Sequence, residues 1–121
     1  MARNISDTIS HGEIVQIAEV LRDPRLQQRS VRITGKLESY DASNHIALVS
    51  FQGAQLTVET RICALEGVEL AIGSMYQFIG ETYRSHADVR LRARVARNVD
   101  NLDIDLFLQA LELRRKFLAS Q

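Results

Sequence analysis

Between residues 31 and 99 the chain alternates apolar and polar side chains in stretch after stretch, and five such stretches have to share one small core. In VRITGKLESY (31–40), Val31, Ile33, Gly35 and Leu37 fall on one face, and Arg32, Thr34, Lys36 and Glu38 on the other. A period of two puts one face of a strand against a core and the other toward water. HIALVSF (45–51), AQLTVET (54–60), MYQFIGETY (75–83) and VRLRARVARNV (89–99) repeat the strand signal, with turn chemistry in DASN (41–44), Gln52-Gly53 and RSHAD (84–88). Gly35 lies inside a strand, where glycine marks a bulge or a sharp coil, and Gly80 is a second interior glycine. RICALEGVELAIG (61–73) lacks the alternation and has room for a short helix.

Five strands with a helical or irregular insert after the third is the order of an OB-fold. That is a five-stranded Greek-key barrel whose second and third strands and flanking loops commonly bind oligonucleotides. The expected class is all-β with flanking helices; an SH3-like or other small barrel has the same strand count.

A chain of 121 residues, 45% hydrophobic and 25% charged, has the composition of a globular protein with one core. With no repeat, low-complexity tract or linker, it reads as a single domain over 1–121. Its parts are an amino-terminal extension (1–29), a barrel (30–99) and a carboxy-terminal interaction helix (100–119). Fifteen basic residues balance fifteen acidic ones, so no net charge draws it to nucleic acid or to an acidic membrane. Thirteen of the fifteen cations are Arg, whose planar fork suits paired, stacked and interface contacts, although codon usage produces the same bias. One cysteine, Cys63, supports neither a disulfide framework nor a thiolate metal cluster, and fits a reducing compartment. No signal-peptide core or membrane-spanning run is visible, so an intracellular location is expected.

Two segments flank the strands. In SHGEIVQIAEVL (10–21), Ser10 and Glu13 stand at capping-box spacing, and Ile14, Ile17, Ala18 and Leu21 follow at helical spacing. A short helix is expected there, with an extended stretch as the alternative, ended by Asp23-Pro24. DNLDIDLFLQALELRRKFLAS (100–120) predicts a second helix, capped by Asp100 or Asn101. Asp103 and Asp105 suit its positive end, and Arg114, Arg115 and Lys116 its negative end.

That second helix is apolar on two sides. Leu102, Leu106, Ala110, Leu113 and Phe117 form one stripe, with Ile104, Phe107, Leu108, Leu111 and Leu118 roughly opposite. Two apolar faces require two coverings, and a barrel this small supplies one. The other is either the amino-terminal helix or a partner. A helix of about 17 residues spans roughly 25 Å, enough for an ordinary interface. Phe117 would then serve as an aromatic anchor, and Ala110 would permit close approach. Leu106, Ala110, Leu113 and Phe117 are accordingly the candidate partner residues.

The last strand carries Arg90, Arg92 and Arg94 on one face, opposite Leu91, Ala93 and Val95. Placed beside the first strand, as expected in such a barrel, these arginines would have Arg32 and Lys36 as neighbours and attract phosphate. The other reading is a solvated outer face whose charges pair with Glu38, Glu81 or a partner's acids. Strong single-strand binders interleave aromatics with cations. Aromatics make up only 6% of this chain. Tyr76, Phe78 and Phe107 suit the interior or an interface, leaving Tyr40, Phe51 and Tyr83 as stacking platforms. The candidate nucleic-acid contacts are Lys36, Tyr40, Tyr83, Arg84, Arg90, Arg92 and Arg94, and the chain alone should bind weakly. No catalytic, metal or cofactor constellation is found. His11, His45 and His86 are scattered, Cys63 has no base at hand, and no phosphate-binding glycine loop occurs.

With the elements in this order, three stretches resemble the Ten-one family, the smallest subunits of the CST telomere-capping complex. They are VRITGKLESYD (31–41), IGSMYQFIGE (72–81) and LRARVARNVDNLDIDLFLQALELRRKF (91–117). The likeness spans most of residues 30–118; each motif is short, and their order and spacing give it specificity. It implies a non-catalytic OB-fold subunit that pairs with an Stn-one-type OB-fold partner, largely through carboxy-terminal helices, and joins a large subunit of the Ctc-one or Cdc-thirteen type. It further implies a nuclear location at chromosome ends, G-rich single-stranded overhangs as the ligand of the assembly, and fill-in by DNA polymerase alpha–primase. Arg32 matches an arginine in the family's first strand, which adds it to the partner candidates; an ordinary outward-facing arginine is the equal alternative. The small subunit of replication protein A, or an autonomous single-strand binder of the same fold, is the competing identification.

Overall fold

All five alternating stretches become strands, and the last of them returns to the third to close a barrel. The computed structural model describes residues 12–119. In chain order the elements are β1 (Glu13–Ile14), α1 (Ile17–Arg22), a one-turn 3-10 helix (Pro24–Leu26), β2 (Ser30–Asp41), β3 (Ile46–Phe51), β4 (Ala54–Glu59), α2 (Arg61–Leu65), β5 (Met75–Ser85), β6 (Asp88–Asn98) and α3 (Ile104–Ala119). The barrel runs β2-β3-β4-β6-β5 and back to β2. Its pairings are antiparallel except β4–β6, where Thr57, Val58 and Glu59 lie parallel to Arg90, Leu91 and Arg92. This is the five-stranded OB-fold with a carboxy-terminal helix.

The first and last barrel strands are not neighbours, contrary to the sequence expectation. β5 lies between them, pairing with β2 on one side and β6 on the other. Long β2 serves two sheets: Ser30–Lys36 pair with β5, and Lys36–Asp41 with β3. The changeover falls at Lys36, and at the preceding Gly35 a Cβ would stand 2.4 Å from the Val49 side chain. Inward residues of every strand, including Val31, Ile33, Val49, Val58, Phe78 and Leu91, are fully buried. Burial of this kind supplies most of the stabilisation, at about 25 cal/mol per Å² of apolar surface.

The amino-terminal helix begins later than its spacing suggests. Glu13 and Ile14 pair as a strand with Val31 and Arg32, and Ser10 lies outside the described residues. Gln16 caps α1 instead, its N–H donating to Glu19 Oε1 at 2.8 Å. A tertiary contact decides the matter, because Val15, Ile17 and Val20 are buried in the barrel core rather than laid along the last helix. Thr82, itself buried, fastens the segment after the 3-10 helix to β5. Its hydroxyl accepts from Arg29 N at 3.1 Å and donates to the Leu26 carbonyl.

At the other end, α3 starts three residues beyond the expected cap. Asp103 caps it, with Oδ1 accepting from Leu106 N at 3.1 Å. Asp100 is occupied elsewhere: it accepts from Met75 N at 2.7 Å and from the Asn98 amide at 3.0 Å, tying the exit of β6 to the start of β5.

Candidate partner helix and nucleic-acid face

α3 presents two unlike faces. Leu111 is buried, and Ile104, Phe107 and Leu108 pack against the core, with Phe107 meeting Phe51 edge-on at 6.4 Å between ring centroids. Phe51 is therefore a core residue and no stacking platform. On the far face Leu106, Leu113 and Phe117 are 62%, 66% and 64% exposed, and Ala110 between them is exposed as well. α1 does not cover them, since its own apolar residues Ile17 and Val20 point into the barrel. Two members of the expected stripes differ: Leu102 precedes the helix, and Leu118 is largely exposed rather than packed on the barrel.

The helix is also held by charge. Arg115 grips Glu19 with two hydrogen bonds of 2.8 Å each and donates to the Ile14 carbonyl at 3.1 Å. Burial pushes the Glu19 carboxyl up. The Arg115 hydrogen bonds, the Gln16 N–H and the charges of Arg115 and Arg22 outweigh it, so the group lies below the ordinary carboxylate value. Bidentate pairing of this kind fixes orientation as well as contact. Beside it an apolar groove runs between α3 and the start of the described chain, lined by Ile14, Phe107, Ala110, Leu111 and Arg114.

On the outer surface of β4, β6 and β5 the structure brings together Tyr83, Arg90 and Arg92. Register sets Arg90 between Thr57 and Tyr83, and Arg92 between Glu59 and Glu81. The Arg92 guanidinium lies 4.3 Å above the Tyr83 ring, close enough for a cation–π contact. Glu59 joins both: its Oε1 is 3.4 Å from Arg92 Nε, and its Oε2 accepts from the Tyr83 hydroxyl at 3.2 Å. Burial and then the Glu59 charge and hydrogen bond raise the Tyr83 phenol, so it stays protonated as a donor. Arg90 faces Asp88 at 4.0 Å, while its Nε is buried without a hydrogen-bond partner. Among the described residues, the acids that pair with Arg90 and Arg92 are thus Asp88 and Glu59. Glu38 instead accepts from the Ser50 hydroxyl.

The other sequence candidates lie apart from that cluster. Arg84 is exposed and donates to the Ala87 carbonyl at 3.4 Å. Arg94 donates to Ser30 Oγ at 3.0 Å from a bulge in β6, out of line with Arg90 and Arg92. Tyr40 packs against the core, its hydroxyl 3.5 Å from Thr60 Oγ1. Lys36 is exposed at the coil of β2, opposite Ser50 and Met75. Arg32 is half-buried, between Ile14 of β1 and Ile79 of β5, so neither it nor Lys36 pairs in register with β6. Glu59 escaped sequence reasoning because only the parallel β4–β6 pairing brings it to Arg92, and no local pattern encodes that pairing. Cys63 is buried with Sγ 3.8 Å from the Ala93 carbonyl, and burial raises its thiol, which disfavours a thiolate nucleophile. Among the described residues no group of three metal-ligating side chains occurs.

Comparison with known proteins agrees with this geometry. Residues 8–121 match the family model described as "Telomere-capping, CST complex subunit". The CST complex subunit TEN1 of Arabidopsis thaliana is 34% identical over 94 residues, covering 76% of this chain and 72% of that protein. Telomere capping protein Ten1 from Saccharomyces pombe superposes with a TM-score of 0.71 at 16% identity, covering 87% of this chain and 98% of that one. A chain of the S. pombe Stn1–Ten1 complex does so with a TM-score of 0.69 at 16% identity, covering 87% and 92%.

Proposed function

The chain belongs to the telomere-capping CST complex subunit family, and on that premise we propose that it is the small, non-catalytic subunit that pairs with an Stn-one-type OB-fold partner through the outer face of α3. The observation that carries this reading is the exposed apolar stripe of Leu106, Ala110 and Leu113, continued by Phe117, on a helix whose opposite side is already packed. Exposed apolar side chains lined up along a single helix face mark an interaction surface. The helix has 16 residues, about 24 Å of length, and the groove beside Ala110 offers a socket for a side chain from a facing helix. Arg32, beside β1, extends the same contact. The S. pombe complex of Stn1 with Ten1 is a precedent for the pair.

Within the assembly the pair joins a large subunit of the Ctc-one or Cdc-thirteen type in the nucleus, at chromosome ends. There it supports end protection and polymerase alpha–primase fill-in. Its own share of single-stranded DNA binding is modest. Tyr83, Arg90 and Arg92 form the contact, while Lys36, Tyr40, Arg84 and Arg94 lie apart from it and add no more than general charge or packing.

Solution mass tests the pairing. Co-expressed with an Stn-one-type partner, the chain should elute as a one-to-one complex by light scattering after size exclusion, and alone it should self-associate through α3. A well-behaved monomer that ignores the partner would refute the proposal.

A further inference from the structure

Two cations of β6, Arg90 and Arg92, face acids of the same barrel, and one of those acids stands where a ligand's charge would go. Glu59 spans two donors, with Oε1 toward Arg92 Nε at 3.4 Å and Oε2 accepting from the Tyr83 hydroxyl at 3.2 Å. Two oxygens on one centre, each met by a different donor, is an arrangement that the free oxygens of a phosphodiester reproduce. The neighbouring groups suit that ligand. Arg92 is already stacked on Tyr83, and Arg90, one register step away, has a buried Nε without a hydrogen-bond partner.

We propose that Glu59 is an internal stand-in for a phosphate, an autoinhibitory contact that single-stranded nucleic acid must displace to reach Arg92 and Tyr83. The proposal rests on the reading above that this face meets single-stranded DNA. Asp88 and Glu81 are weaker blockers. Asp88 is 4.0 Å from Arg90 on a largely exposed side chain, and Glu81 is exposed opposite Arg92. Only Glu59 is half-buried and held by both donors. Its hold is nevertheless loose, because Arg92 meets it as an ion pair at 3.4 Å rather than through a hydrogen bond, and Arg92 is half exposed to solvent. A phosphate approaching Arg92 therefore meets a nearby negative charge that weak contacts keep in place. The arginine-rich strand and the poor binding expected of the lone chain are reconciled by that charge.

The test compares the full chain with Glu59→Gln, which keeps the shape and loses the charge. The probe is a fluorescein-labelled, G-rich, single-stranded oligonucleotide, read by anisotropy over a salt series. Glu59→Gln should bind roughly three- to tenfold more tightly. Its log–log salt slope should steepen by about 0.7, the signature of one more phosphate engaged. Glu59→Ala should also tighten binding, and adding Arg92→Gln to Glu59→Gln should erase the gain; thermal unfolding verifies that each variant is folded. Equal or weaker binding by Glu59→Gln, or no binding by either protein, overturns the proposal, as would a gain for a polyglutamate peptide with none for the oligonucleotide. Light scattering of Glu59→Gln with the partner is the separate readout. Unchanged pairing beside a failed oligonucleotide arm removes the masking and leaves the partner reading intact.

Discussion

A Cβ on Gly80 would stand 2.0 Å from the carbonyl oxygen of Arg92 and 2.8 Å from the Cα of Ala93, because β6 carries one extra residue at that point. Gly80 pairs with Ala93 and Ile79 with Val95, so Arg94 has no opposite number. A bulge of this kind reverses the inward and outward phase of the strand beyond it. Leu91 and Ala93 point into the core, whereas Val95, which alternation places with them, is 45% exposed and Ala96 packs inward instead. Gly80→Ala should therefore destabilise the barrel by about 3 kcal/mol, the upper range for forcing a group into a packed site. Urea unfolding checks this, and an unchanged midpoint would show that the bulge relaxes freely. Gly80 was legible as a glycine interior to a strand. Its consequence for Val95 and Arg94 was not, since the extra residue sits on the partner strand. Phe51 was misplaced for a comparable reason: only the docking of α3 brings Phe107 against it.

At the scale of elements, each strand and the last helix could be read from hydrophobic period; strand ends shift by a residue or two and the start of the helix by three. What the period could not supply is which element meets which. The β4–β6 pairing is one example. The β1–β2 pairing, which converts Glu13 and Ile14 from expected helix to strand, is another. The docking of α3 depends on such a meeting. It rests on one buried side chain, three partly buried ones and the Arg115–Glu19 pair, whose partners lie 96 residues apart. The Glu19 carboxyl titrates lower in the folded chain than in the unfolded one. Its stabilisation is therefore complete above the ordinary carboxylate range and is lost as pH falls through the folded value. Arg115→Gln should cost about 1 kcal/mol at neutral pH, because the pair is partly screened by water. The gap to wild type should close as pH drops below about 4. Chemical unfolding at several pH values tests this, and a gap independent of pH would contradict the assignment of the shift to Arg115.

For the whole molecule, formal neutrality divides into two surfaces with different chemistry. One is the apolar outer face of α3, held in place by the barrel beneath it and by Arg115. The other is the face of β4, β6 and β5, where arginines are answered by Glu59 and Asp88. The first suits a permanent partner and the second a ligand met only within an assembly. That division was visible early in the helix with two apolar sides and in a basic strand within a neutral chain; the identity of the answering acids needed the fold. Whether the outer face of α3 is the partner surface is decided by titration calorimetry of an Stn-one-type partner against wild type and Leu113→Glu. Leu113 is 66% exposed, so the variant should unfold at the wild-type temperature while its affinity falls by about a hundredfold or more, the effect of a charge placed in a hydrophobic hot spot. Wild-type affinity in a folded Leu113→Glu protein would contradict the claim and move the interface elsewhere on the barrel.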